Sequence, residues 1–197
     1  EAILHFKNAT YKADDIDISN KEREKSIEIL RRIVANQEVA PRVAKEAKSM
    51  LDDILRPQAT LSVENNALPK RPVPVSLESQ NIDSLKISVY RYFVGIDVDK
   101  VKPVYEQEYV VKEQKAKVLL QSNSFELPSL ELGHYLVVAR AEDKKYSIVN
   151  VQVTDIKPFH ANTNRESIVA VVSATTGAPL SGVNINGSNA DENGMLV

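Results

Sequence analysis

Apolar residues in the first 55 positions recur every three or four residues, which predicts helices. The apolar positions fall in three groups: Ala2, Ile3, Phe6 and Ala9 within residues 1–13; Ile27, Leu30, Ile33 and Val34; and Val43, Ala44, Ala47, Met50, Leu51 and Ile54. Ser19 and Glu22 have the spacing of a capping box, and Arg56-Pro57 ends the last helix. The last two helices, joined by a short loop, predict an αα-hairpin that resembles one tetratricopeptide-like unit.

Beyond Pro57, apolar and polar residues alternate with a period of two, which predicts antiparallel strands with one solvated face. Leu85, Ile87 and Val89 should face the core, and Lys86, Ser88 and Tyr90 should face water. Pro72 and Pro74 favour an edge position for their strand. Strands are expected at 60–64, 73–78, 85–92, 104–111, 117–120, 124–127, 134–141 and 146–153. This spacing of short strands fits an Ig-like β-sandwich.

The last 31 residues predict a strand, a Thr-Gly-x-Pro-Leu turn, a second strand, an Asp-Glu-Asn-Gly turn and the start of a third strand, beginning near Glu166. Residues 155–165, which include Pro158, are interpreted as an extended linker. A sheet this short cannot bury a face by itself, so we expect a piece of a longer protein, cut within a domain. The expected fold class is α+β: a helical hairpin at 1–57, a β-sandwich at 58–157, and a linker with the truncated start of a second β-sandwich at 158–197.

Composition narrows the classes of function. The formal net charge is −2, and Lys and Arg alternate with Asp and Glu, so the chain has no basic patch for nucleic acid. The absence of cysteine excludes disulfides, thiol nucleophiles and thiolate metal ligands. No apolar run reaches the roughly 18 residues of a membrane-spanning segment.

The candidate catalytic and metal-ligating side chains are scattered along the sequence. His5, His134 and His160 have no H-x-x-x-H spacing, so neither a metal site nor a general base is predicted. On its strand, His134 should point away from the side on which Tyr135 points.

The aspartates also have non-catalytic interpretations. Asp97 and Asp99 would share a face of an extended segment, where paired carboxylates can do acid–base chemistry, but a polar loop after the strand is the interpretation we favour. Asp155 and Asp191 could likewise pair with other carboxylates. The run Asp191-Glu192-Asn193-Gly194 offers too few oxygen ligands for calcium, so it is interpreted as a hairpin turn.

Six tyrosines cluster in the predicted sandwich: Tyr90, Tyr92, Tyr105, Tyr109, Tyr135 and Tyr146. A platform for sugar is one interpretation, and cross-strand packing is the one we favour. Tyr135 has the position of a tyrosine corner, whose hydroxyl bonds to upstream backbone. Asn8-Ala9-Thr10 and Asn186-Gly187-Ser188 fit the N-glycosylation pattern.

The order of several motifs resembles the N-terminal region of bacterial α2-macroglobulin-like proteins, especially the large envelope forms of Bacteroides-type bacteria. These motifs are the Pro-rich segment 68–75, the strand segment 81–91, Leu132-Gly133-His134-Tyr135, and Thr-Gly-x-Pro-Leu-x-Gly at 176–182. The resemblance covers roughly residues 58–197.

The resemblance implies a macroglobulin-type sandwich within a non-enzymatic fragment, whose parent traps proteases in the periplasm or at the cell surface. Any lipid anchor would lie outside these residues. The implied partners are the parent's other domains and, through the full-length protein, target proteases. The family's internal thioester needs a cysteine, which this piece lacks. No catalytic, cofactor-binding or metal residue and no cofactor is expected. Alternatives are an Ig-like adhesive or carbohydrate-binding module, or accessory domains of an enzyme whose catalytic domain lies downstream.

Overall fold

In the computed structural model, which describes residues 1–111, 117–142, 144–162 and 167–196, the N-terminal region is helical. Its helices are α1 (Ala2–Tyr11), α2 (Ile16–Ala35) and α3 (Pro41–Leu55). The helix α1 packs on α2, and α2 packs on α3, so a further helix joins the predicted hairpin. Their shared core contains Ala2, Ile27, Leu30, Ala47 and Ile54.

Small polar residues let α1 approach α2 closely. The Ser19 hydroxyl donates to the Ala9 carbonyl at 2.7 Å, and the Ser26 hydroxyl donates to the Ala2 carbonyl at 2.9 Å. The predicted Ser19–Glu22 capping box is therefore wrong. The helix begins a turn earlier, where the Asp15 carboxylate accepts the Ile18 backbone N–H at 3.1 Å. Asp15 is itself a preferred N-cap residue, and it leaves the Ser19 hydroxyl available to α1.

Residues 58–153 form two stacked sheets. One has the strand order β1-β3-β6 and the other β2-β8-β7-β4-β5, with every pairing antiparallel except β2 with β8. The strands are β1 (Gln58–Val63), β2 (Asn66–Ala67), β3 (Val73–Gln80), β4 (Ser84–Arg91), β5 (Tyr105–Val110), β6 (Gln121–Leu127), β7 (Gly133–Ala141) and β8 (Lys144–Val153). The α+β fold class is confirmed.

The core between these sheets is mainly aliphatic, with Tyr135 buried in it and further aromatic rings packed at its side. Leu85, Ile87 and Val89 are fully buried on one face of β4, as the alternation predicts. From opposite sheets, the rings of Tyr109 and Phe125 lie 4.6 Å apart between centroids. The apolar contact between the sheets, rather than any polar network, thus holds the sandwich together.

The outer face of β4 is not uniformly solvated, which corrects the expectation for Ser88 and Tyr90. Both side chains are buried. The segment 92–104 folds over this face, where Val98 packs with Tyr90 and Val138 in a second small core. Lys86 alone of the three predicted outward residues stays exposed. Alternation cannot reveal such a cover, because it depends on where a distant loop folds.

Two strand predictions also fail. β3 is the central strand of its sheet, not an edge strand. Its pairing with β1 stops at Val75↔Val63, so Pro74 lies past the last pair and its missing N–H removes no bond to β1. The predicted strand at 117–120 is a turn that leads into β6.

The C-terminal part forms a small β unit, which here means residues 155–196. Its sheet has the order β13-β10-β9, beside a short β11–β12 hairpin. The strands are β9 (Ile156–Asn162), β10 (Ser167–Ser173), β11 (Asn184–Ile185), β12 (Ser188–Asn189) and β13 (Met195–Leu196). Val171, Ala190 and Leu196 are buried in its core, so even this short sheet covers some apolar surface.

The predicted linker is wrong over 156–162, because these residues pair with β10 as β9. In the sequence, Pro158 argues against a strand. The strand forms nevertheless, because β9 lies at the edge of its sheet, where proline is tolerated. The predicted start near Glu166 and the linker's last residues, 163–165, lie outside the described part of the chain.

Gly194 lies where no other residue fits easily. Its φ is +74°, and an added Cβ would lie 2.4 Å from the Val171 carbonyl oxygen. Its own carbonyl accepts the Val171 backbone N–H at 2.7 Å. The last turn is thus held directly against the middle of β10.

We predict that Gly194→Ala destabilises the small β unit by about 1–3 kcal/mol more than Gly177→Ala does. Gly177 is the matched control, because its φ is +75° but an added Cβ there has nothing within 4 Å. Hydrogen exchange at the Val171 and Leu180 amides measures the difference. Equal exchange in the two variants would show that the close approach to Val171 is unimportant.

Candidate functional site at the joints between modules

The polar side chains with the most specific geometry lie where one part of the chain meets the next. The first such place, the helix joint, consists of Arg23 on α2, Ile54 and Arg56 at the end of α3, and Asn81 in the β3–β4 turn. The Arg23 guanidinium donates to the Asn81 side-chain oxygen at 2.7 Å and to the Ile54 carbonyl at 3.4 Å. The Asn81 amide donates to the Ile54 and Arg56 carbonyls, both at 3.0 Å.

These bonds supply hydrogen-bond donors to the backbone carbonyls at the end of α3. The last carbonyls of a helix have no partner within the helix, and here Arg23 and Asn81 supply their donors. Asn81 can do so because it adopts φ +56°, a left-handed conformation that asparagine tolerates better than most residues. The helical region and the sandwich are therefore joined by side chains from both.

Arg23 is 7% exposed, and burial lowers the pKa of its guanidinium, partly offset by Glu24. Among the described residues, its guanidinium bonds two acceptors, the Asn81 side-chain oxygen and the Ile54 carbonyl, and both are neutral. A buried charge costs free energy unless it is hydrogen-bonded, so loss of either acceptor should loosen the joint. Nearby, the Lys117 backbone N–H donates to the Asn20 side chain at 2.9 Å and ties α2 to the segment before β6.

Two clefts flank Asn81. One, of about 500 Å³, lies between Pro57, Asn81 and the sandwich, and the other, of about 320 Å³, lies against Arg23. The larger cleft mixes both signs of charge, with Lys86 and Arg140 beside Asp83, Glu108 and Glu142. Such a mixed lining does not form a strong field of one sign for a charged small ligand.

Asp97 and Asp99 lie in the segment 92–104, in the polar-loop arrangement rather than as a catalytic pair. Asp99 accepts from Arg140 at 2.9 Å and also binds Lys145, whereas Asp97 pairs with Lys100 at 3.0 Å. Bonds from Lys145 and then Arg140 lower the pKa of Asp99, and Lys100 with the Asp99 N–H lowers the pKa of Asp97. Asp99 thus holds the segment 92–104 against the outer face of the sheet, through Arg140 on β7 and Lys145 on β8.

The second joint, the sheet joint, is formed by Thr154, Asp155, Ser173 and Thr175 where the sandwich leads into the small β unit. The Thr154 N–H donates to the Ala67 carbonyl at 3.0 Å. The Thr154 hydroxyl accepts the backbone N–H of Ile156. The Asp155 carboxylate accepts from the Ser173 hydroxyl at 2.8 Å, and from the Thr175 N–H at 2.8 Å. Asp155 therefore fixes the turn that follows β10.

The predicted histidines lie apart. His5 on α1 bonds Glu22 on α2 at 2.7 Å, and this bond, with a second from Lys25, lowers the pKa of Glu22 to about 2. His134 is exposed on β7 while Tyr135 is buried, as predicted. His160 lies on β9 opposite Val169.

The other candidates have structural roles. Asp191 accepts the backbone N–H groups of Asn193 and Met195 at 2.9 and 2.7 Å, which confirms a turn. The turn is not the predicted hairpin, because β12 pairs with β11 and β13 pairs with β10. Among the described residues, no group of three or more His, Cys, Asp or Glu side chains has the geometry to hold a metal ion. Nor is any described helix both long and apolar enough to cross a membrane.

The tyrosines do not form one exposed platform. Tyr90 and Tyr135 are buried, and Tyr105, Tyr109 and Tyr146 are half-buried against the sandwich core. The Tyr135 hydroxyl donates to the Glu131 carbonyl at 2.9 Å, so the predicted tyrosine corner is confirmed.

Sequence reasoning missed Arg23 and Asn81. The available signal was a charged residue on an apolar stripe, because Arg23 lies four residues before Ile27 and on the same helical face. Asn81 gave a weaker signal, as one asparagine between two strands. Their pairing across 58 positions is invisible to any local pattern.

No protein-family model matches the chain, and no curated protein matches it. Solved structures do. Native alpha-2-macroglobulin from Escherichia coli, in a structure spanning domains NIE-MG1, is 14% identical with a TM-score of 0.50, over 72% of this chain and 86% of that one. The chain shares the macroglobulin-like fold.

A second structure of this Escherichia coli protein, spanning domains MG0-NIE-MG1, gives 14% identity and a TM-score of 0.52. The match covers 71% of this chain and 56% of that longer one. At such low identity the likeness concerns the fold alone, and it transfers no residue roles.

We predict that Asp155→Asn weakens the sheet joint at neutral pH. Hydrogen bonds from the Thr175 hydroxyl, the Ser173 hydroxyl and the Thr175 N–H, in that order of effect, favour the charged carboxylate and lower the pKa of Asp155. A lowered folded-state pKa adds stability above the unfolded value of about 3.9. That stability disappears as pH falls through the folded value. Hydrogen exchange at the Thr175 amide should therefore differ between wild type and variant at pH 7 and converge in acid.

Asp52→Asn, at an exposed position on α3, is the control and should leave Thr175 exchange unchanged at every pH. A wild-type to Asp155→Asn difference that persists undiminished in strong acid would contradict this account of the carboxylate.

Proposed function

We propose that this chain is a non-enzymatic scaffold within a bacterial α2-macroglobulin-like protein, which traps proteases at the cell envelope. The observation that carries the proposal is the fold likeness to macroglobulin domains over more than two thirds of the chain. The use of the polar side chains supports it, since Arg23, Asn81, Asp99 and Asp155 all fix one element against another.

A scaffold role makes physical demands that the chain meets. A protease trap has to hold domains in a defined arrangement before cleavage, and its domains have to transmit a rearrangement afterwards. Joints made of buried or multiply bonded side chains suit that task better than flexible linkers. The proposed partners are accordingly the neighbouring domains and, through the whole protein, the attacking protease.

The test uses the longest natural protein that contains this sequence. It is incubated with several proteases, and each protease is then assayed on a small peptide and on a large protein substrate. Trapping predicts that cleavage of the small substrate is retained while cleavage of the large one falls. Equal activity on both substrates would refute trapping for those proteases.

The 197-residue chain is the matched control. We expect it to leave both activities unchanged, because a scaffold piece has nothing with which to occupy a protease active site. Inhibition of the small-substrate assay by the chain alone would overturn the scaffold role and indicate a direct inhibitor.

A further inference from the structure

The sequence contains two Asn-Gly pairs, and the structure places them in opposite environments. Asn186-Gly187 forms the two-residue tip of the β11–β12 hairpin, with φ values of +51° and +93°. Both residues are exposed, as are Asn184 and Ser188 beside them. Asn193-Gly194 precedes β13, and its glycine is buried.

An Asn-Gly pair can react with itself. The glycine backbone nitrogen can attack the asparagine side-chain carbon, because no Cβ on the next residue obstructs the approach. At the hairpin tip, an added Cβ on Gly187 would meet nothing within 4 Å, so the surroundings leave room for this movement. The Gly187 N–H is engaged by the side chain of exposed Asn184, at 3.1 Å.

The second pair is held on several sides. The Gly194 N–H donates to the Asp191 carbonyl at 3.0 Å, and the Asn193 N–H donates to the Asp191 carboxylate at 2.9 Å. The Gly194 carbonyl accepts from Val171, whose own carbonyl lies against the glycine. The Asn193 side chain is exposed, but the nucleophile, the Gly194 nitrogen, belongs to a buried residue that is held on both its N–H and its carbonyl side.

We propose that Asn186 is a site of spontaneous deamidation to aspartate and isoaspartate, and that the fold protects Asn193. The Gly187 nitrogen loses its proton and bonds to Cγ of Asn186, and the Cγ–Nδ2 bond breaks to release ammonia. Water then opens the resulting succinimide at one of its two carbonyls. No oxidant, metal or enzyme is required.

The product changes the hairpin. Isoaspartate adds one methylene to the backbone of a turn that contains only two residues, so the β11–β12 register can no longer be kept. Either product also adds a negative charge beside Asn184 and Ser188. The β10–β13 pairing lies outside this hairpin and should survive.

The test incubates the folded chain at mildly alkaline pH in ¹⁸O-labelled water and follows both sites by peptide mapping and mass spectrometry. Both glycine N–H groups are hydrogen-bonded, but only Gly194 is also buried and bonded through its carbonyl. Because of this one additional bond, Asn186 should react between about twofold and tenfold faster than Asn193. Label incorporation and an isoaspartate product identify the succinimide route. Asn186→Gln should remove most of the product, and Asn193→Gln should leave it unchanged.

Denaturant provides the internal control, because both pairs lose their surroundings there. Similar rates at the two sites in urea, with unequal rates in the folded chain, would support protection by the fold. A folded chain in which Asn193 reacts as fast as Asn186, or in which Asn186 does not react while the denatured chain does, would overturn the proposal.

Discussion

The arrangement of helices against sheets depends on one buried cation. Arg23 lies on the apolar face of α2, where a guanidinium is costly unless its donors are used. It bonds the Ile54 carbonyl and the Asn81 side chain. Both bonds come from Nη2, and the buried Nε has no partner among the described residues. The two acceptors belong to different modules, so keeping both bonds requires that α3 and the β3–β4 turn stay together. The cost of burying the Arg23 charge therefore favours one position of α3 relative to the β3–β4 turn.

At the sheet joint a negative charge orders the small β unit itself, where Asp155 holds the turn that follows β10. Asp155 receives donors from Ser173 and Thr175, and its lowered pKa reflects how strongly they favour the carboxylate. Close packing of Gly194 against Val171 completes the small β unit. Polar contacts therefore join the sandwich to the helices and order the small β unit internally, while the sandwich itself is held by apolar burial.

Much of the architecture was predictable, because the alternation of apolar and polar residues along a strand indicates which side chains are buried. The inward faces of β4 and the Tyr135 corner followed from period and position alone. Failures arose where distant partners override a local signal. The helix α2 is capped by Asp15 and not by Ser19. Pro74 is tolerated in a central strand because the pairing with β1 ends before it. Pro158 is tolerated in β9 because β9 is an edge strand.

The joints were the least predictable part, for the same reason. Neither Arg23 nor Asn81 has a motif, and each acquires its role only when the sandwich meets the helices. Sequence reasoning could note that the histidines and most aspartates lack a catalytic spacing. It could not say that Asp99 and Asp155 hold loops in place, since their partners lie far along the chain.

The most direct test is a double-mutant cycle between Arg23→Met and Asn81→Gly, read by hydrogen exchange of the α2 and α3 amides. Methionine keeps the apolar stem of Arg23, and glycine keeps the left-handed backbone of Asn81, so each variant removes mainly the joint. If the joint couples the modules, the cycle should give an interaction free energy of about 1 kcal/mol or more. Additive effects, within about 0.3–0.5 kcal/mol, would show that the helices and the sandwich are stabilised independently, which would contradict the account.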